Sequence, residues 1–190
     1  MKTTILILAV IAAQTTLAAI EIKSDTANGS VQFEAIGRPA MIKIKGEGDG
    51  ASSILTLNQN NLSGEISFNL SSLKTGIGLR DEHMKEKYLQ VKTNPVARLA
   101  LSNLQLPSAW TLQNPLVGSQ TFKGKLLLHG VEREVTGVYT IENQQLKSNA
   151  QFEIKLSDFK IDIPSYLGVK VADSVKVTVN FEKMNLIKKN

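Results

Sequence analysis

Apolar and polar residues alternate with period two along most of the chain, which sends successive side chains to opposite faces of extended strands. Val31, Phe33 and Ala35 alternate with Gln32 and Glu34, and Ile42 and Ile44 with Lys43 and Lys45. The cleanest run sets Leu62, Gly64, Ile66, Phe68 and Leu70 against Ser63, Glu65, Ser67 and Asn69. Ile54 to Leu57 is a shorter strand of ambiguous inward parity, and Ala97, Leu99 and Leu101 mark another. In the second half, Phe122, Gly124, Leu126 and Leu128 oppose Lys123 and Lys125, while Val135, Gly137, Tyr139 and Ile141 oppose Glu134, Thr136 and Thr140. Leu146, Ala150, Phe152, Ile154 and Leu156 follow, then Val175, Val177, Val179 and Phe181. The pattern predicts about eight or nine strands.

Turn-forming residues separate these runs: Gly46 to Gly50, Asn60-Asn61, His129-Gly130 and Asn143-Gln144-Gln145. Many short strands at near-regular spacing define a sandwich or a barrel. A closed barrel of about eight strands has no unpaired edge, and its interior holds either packed side chains or one ligand. Alternation by itself leaves both choices open. Two segments break the rhythm. Arg80 to Leu89 reads as a short helix with Met84 and Tyr88 on one face, and Pro107 to Ser119 is a long loop carrying the only Trp, Trp110. No repeat, linker or low-complexity tract divides the chain.

The N-terminus changes this picture. Lys2 precedes the apolar run Ile5 to Ala13, and small residues follow at Thr16, Ala18 and Ala19. This predicts a signal peptide over residues 1–18 and one domain over residues 19–190. The run is far shorter than the ~20 residues that span a bilayer, so no stable membrane insertion is expected. Export would permit disulfides, yet the chain has no cysteine, so packing alone must hold it and thiolate chemistry is excluded. Removing Lys2 takes one of 22 basic residues set against 17 acids and leaves a net charge of about +4. That excess is small and scattered, with the densest basic cluster at Lys183, Lys188 and Lys189 in what reads as a solvated tail. No basic patch is interleaved with aromatics, so nucleic acid is not an expected partner.

Candidate catalytic chemistry is sparse. His83 stands beside Arg80, Asp81 and Glu82, but two ligands fall short of the three that a catalytic metal requires, and a charged cluster anchoring the helix is the simpler reading. His129 falls in a hairpin turn, where a side chain usually faces water. No nucleophile elbow, phosphate loop or zinc motif occurs, so neither an enzyme nor a cofactor is expected.

Three blocks carry a family resemblance. LSSLKTGIGLRDEHMKEKYLQVKTNPVARLALSNL, Leu70 to Leu104, combines a Thr-Gly turn, Arg-Asp-x-His, a short helix and a strand introduced by Pro. FKGKLLLHGVEREVTGVY, Phe122 to Tyr139, forms a Gly-x-Leu-x-x-x-Gly hairpin, and LSDFKIDIPSYLGVKVADSVKVTV, Leu156 to Val179, a closing loop and final strand. In this order they resemble the YceI-like family of exported polyisoprenoid-binding proteins. Two departures, Gly29-Ser30 where the family commonly has His-Ser and the extra Ile163-Pro164-Ser165-Tyr166, are both expected at the barrel mouth.

The resemblance implies an extended, eight-stranded antiparallel lipocalin-like barrel with one short helix and a long loop, located in the periplasm. Its tunnel would take an isoprenoid or other long-chain lipid. The residues it points to are Phe33, Ile44, Ile66, Phe68, Leu99, Leu101, Phe122, Leu126, Phe152, Ile154, Val177 and Val179. Association of two copies stays open. The alternative is a non-catalytic structural or interaction protein with a solid barrel core, docking through the Trp110 loop.

Overall fold

The structure is a computed structural model that describes residues 19–38, 42–111, 113–142, 144–166 and 169–188. The predicted signal segment lies outside the described residues, as does Asn143 of the predicted Asn143-Gln144-Gln145 turn.

Alternation translates into strands β1 (Ile20–Ser24), β2 (Gly29–Arg38), β3 (Ile42–Asp49), β4 (Ser52–Asn58), β5 (Asn61–Asn69) and β6 (Val96–Gln105). After them come β7 (Val117–Leu128), β8 (Val131–Ile141), β9 (Ser148–Lys155), β10 (Ser165–Tyr166), β11 (Val169–Phe181) and β12 (Asn185–Lys188). They form one twelve-stranded antiparallel sheet in the order β12-β1-β4-β5-β6-β7-β8-β9-β11-β2-β3, with β10 paired to β11. The fold is therefore all-β, a curled sheet in the form of a half-barrel, and the expected count of eight strands is corrected.

The extra strands have local causes. Ile20 and Ile22 alternate with Glu21 and Lys23 in β1, which pairs with both β4 and β12. The residues read as a solvated basic tail thus contain a strand, with Leu186 opposite Ile22. The Ile163–Tyr166 segment supplies β10, and the Pro164 carbonyl accepts a hydrogen bond from Val171 N–H at 2.9 Å.

A second correction concerns Gly46 to Gly50. Gly46 and Gly48 are buried positions inside β3, and only Gly50, at φ +100°, makes the turn. A Cβ on Gly46 would lie 2.3 Å from Cε1 of Phe33, and one on Gly48 2.8 Å from Cζ of Phe68. Glycine here makes room for rings on neighbouring strands. The β3 end of the sheet curls back to the segment after β5, where Glu47 and Lys74 exchange backbone hydrogen bonds at 2.9 and 2.8 Å.

The ambiguous strand resolves as β4 with Ser53, Leu55 and Leu57 inward and Ile54 outward. The predicted helix is α1 (Gly78–His83), continued by a wider π-type turn over Met84–Tyr88. Leu70, expected in a strand, begins a 3₁₀ turn whose Ser71 N–H is capped by the Asn69 side chain at 2.9 Å. Leu146, also expected in a strand, lies before β9 at φ 56°. No helix among the described residues is long and apolar enough to cross a membrane.

Candidate functional site

The inward faces of the strands do not meet. They enclose a front cavity of about 560 Å³ and a rear cavity of about 80 Å³, both with predominantly apolar walls. Each strand crosses from one to the other in steps of two residues, as the pleat requires. On β5 the front wall has Phe68 and the rear wall Leu62; on β6 these positions are Ala97 and Leu101; on β11 they are Val177 and Phe181. Ile66, Leu99 and Val179 belong to both walls and mark the level where the cavities abut.

At that level the rings of Phe122 and Phe152 meet edge to face, with centroids 6.1 Å apart and an interplanar angle of 88°. Phe122 faces the rear cavity and Phe152 the front one. Gly137 is the cross-strand partner of both, and a Cβ there would lie 2.7 Å from Cε1 of Phe122. The bare glycine is the seat of the Phe122 ring.

Of the twelve residues singled out from sequence, Phe33, Ile44, Ile66, Phe68, Leu99, Leu126, Phe152, Ile154, Val177 and Val179 line the front cavity. Leu101 and Phe122 do not, and face the rear cavity. The sequence reading missed the mouth. Ile42, Ile77 and Leu79 line the front cavity while being 48%, 53% and 50% exposed, so it opens to solvent between β3 and α1. Met84 and Tyr88 also reach its wall, and their four-residue spacing on a helix face was the signal for it.

Polar groups at this wall are few: Thr75, Arg80, His83, Arg98 and Ser165. The segment between the Leu70 turn and α1 is held by charge-assisted hydrogen bonds. Thr75 donates its N–H to Asp81 Oδ1 at 2.6 Å and its hydroxyl to the same oxygen. Arg80 donates from Nε to Thr75 Oγ1 at 2.7 Å and from Nη2 to the Thr75 carbonyl at 3.0 Å. Partial burial pushes the Asp81 carboxyl up, but the two Thr75 hydrogen bonds, with Lys85 and Arg80 nearby, outweigh it and hold the pKa below its ordinary value. Asp81 and Arg80 converge on Thr75, the anchoring arrangement expected of the cluster, and Arg80 and His83 additionally line the mouth.

Of the two family departures, Pro164 and Ser165 do sit at the front cavity. Gly29 does not: it packs at the other end, where a Cβ would lie 2.1 Å from the Ala51 carbonyl oxygen and 2.8 Å from Cε1 of Phe181. His129 is also corrected. It adopts φ 52° in the turn, but its ring turns inward and Nδ1–H donates to the Phe159 carbonyl at 3.0 Å.

The Trp110 loop closes the rear end, and Trp110 is only 5% exposed. The cavity is at odds with the solid core of the alternative reading, and the Trp110 ring itself is buried and not a docking residue. Trp110 Nε1 and the Tyr139 hydroxyl, both on rear-cavity residues, are buried without a hydrogen-bond partner among the described residues.

A curled antiparallel sheet around an open apolar cavity defines the architecture of this chain. The chain belongs to the YceI-like domain family, whose sequence pattern matches residues 23–183. Three solved structures share the fold. One is a polyisoprenoid-binding domain from Saccharophagus degradans implicated in plant cell wall breakdown, 14% identical, covering 89% of this chain and 98% of that one, with a TM-score of 0.60. BcnA of Burkholderia cenocepacia is 18% identical over 85% of this chain and 98% of its own, with a TM-score of 0.64. The YceI protein of Campylobacter jejuni is 17% identical over 77% and 86%, with a TM-score of 0.53. Curated protein sequences give no significant match.

Proposed function

We propose that this protein is an exported, non-catalytic binding protein that sequesters or carries a long apolar chain, a polyisoprenoid or similar lipid, in its front cavity. The observation that carries this reading is the cavity itself: about 560 Å³ of apolar-walled space opening at an apolar rim. The polyisoprenoid-binding domain of Saccharophagus degradans, which shares the fold, supports the choice of ligand. The signal-like residues 1–18 support export to the periplasm.

Energetics favour a long chain over a short one. A buried methylene contributes about 0.8 kcal/mol, so ~20 buried carbons give roughly 16 kcal/mol gross. Association costs on the order of 4–15 kcal/mol, which a short acyl fragment barely meets. The wall offers Thr75, Arg80 and His83 on one side of the mouth, where they would orient a polar head group while the chain fills the apolar interior.

Calorimetric titration of the folded domain with geranylgeraniol tests this reading. Saturable binding with a negative heat-capacity change is expected, weakened at least tenfold by Val177→Trp, whose indole intrudes into the front cavity from its wall. Absence of saturable binding, or equal binding by the narrowed variant, would refute it.

A further inference from the structure

We infer that Phe122 and Phe152 form a partition that sets the length of the chain the front cavity accepts, and that the rear cavity is a latent extension of the same site. The inference rests on the proposed lipid-binding function and adds a determinant of specificity to it.

The two cavities lie end to end along the strands, sharing Ile66, Leu99 and Val179. A chain entering at Ile42, Ile77 and Leu79 and running along β5, β6 and β11 reaches this shared level and meets the crossed rings. Beyond them the space is still suited to hydrocarbon: every residue lining the rear cavity is buried or half-buried, and its walls are almost wholly apolar. What stops the chain is therefore the aromatic pair and not a change in chemistry.

The pair is also built in. Gly137 leaves its inward position bare, with Phe122 Cε1 at 2.7 Å and Phe152 Cβ at 2.8 Å from where a Cβ would stand. The Phe122 ring occupies the slot that the missing side chain leaves, and its edge-to-face contact with Phe152 is fixed there. A methylene is similar in size to water, at about 30 Å³ each, so the front cavity admits on the order of twenty such groups and the rear cavity about three more. Removing the Phe122 ring adds its own volume to the passage, and the accepted chain should grow by roughly one to two five-carbon units.

The test is a length series of linear all-trans prenols, from two to eight isoprene units, titrated into wild-type protein, Phe122→Ala and Phe122→Leu. For the wild type, affinity is expected to rise with length and then level off. For Phe122→Ala the plateau should move one to two units longer, with Phe122→Leu in between and still folded should the alanine variant be damaged. The readout is the position of the plateau, which a general loss of packing does not lengthen. If chains bind and all three proteins level off at the same length, the partition falls alone. If the wild type binds no prenol of any length, the lipid-binding reading falls with it.

Discussion

The carboxylate of Asp81 accepts both the N–H and the hydroxyl hydrogen of Thr75, tying the first turn of α1 to the segment that leads into it. Because the Asp81 pKa is lowered on folding, its contribution is present above the unfolded-state value near 3.9 and is lost as pH falls through the lower folded value. Asp81→Ala should cost about 1 kcal/mol at pH 7, a partly exposed charge-assisted bond being worth less than a buried one. Urea unfolding at pH 7 and near pH 3 measures this. The gap between wild type and variant should narrow at the lower pH, whereas a gap of constant size would mean the carboxylate charge is not what holds Thr75.

Tyr139 provides the opposite sign. Burial raises its phenol above the ordinary value of 10, so the folded state favours the neutral ring and stability is lost as pH rises through the folded pKa. Its hydroxyl also lacks a partner among the described residues, so Tyr139→Phe removes an unsatisfied group and should be neutral to stabilising by up to about 1–3 kcal/mol. Thermal melts from pH 8 to 11 should show a shallower alkaline decline in the variant. A clear loss of stability at pH 8 would indicate that the hydroxyl is in fact bonded.

Gly46 links the sheet's last strand to the cavity, because the Phe33 ring lies in the space its missing side chain leaves. Gly46→Ala should cost about 1–3 kcal/mol by overpacking. It should also push Phe33 into the cavity and weaken prenol binding several-fold, measured on the folded fraction. Unchanged affinity would place the Phe33 ring outside the ligand's path.

Much of the fold was legible because the pleat maps sequence parity onto faces. The inward residues of β2, β5, β6, β7, β9 and β11 follow from alternation, and most of the residues chosen from them do line the front cavity. Parity says nothing about depth along a strand. Leu101 and Phe122 share the inward face with Leu99 and Leu126 yet lie further along their strands and face the rear cavity. Composition misled at β3, where glycines read as turn-formers serve as seats for the rings of Phe33 on the paired strand β2 and Phe68 on β5, a tertiary cause that no local pattern contains. The mouth was hidden for a similar reason: Ile77 and Leu79 belong to no strand, and only the curl of the sheet brings α1 over the cavity beside Ile42.

The central claim is that the front cavity exists to hold an apolar chain. Native mass spectrometry of the protein purified from its own host, without detergent, tests it most directly. The expected result is a bound species that dissociates on activation and is identified by lipid extraction as a polyisoprenoid or comparable long-chain lipid, diminished in the Val177→Trp variant. Protein that carries no apolar molecule from its host, or carries it equally with the cavity narrowed by the indole, would contradict the claim.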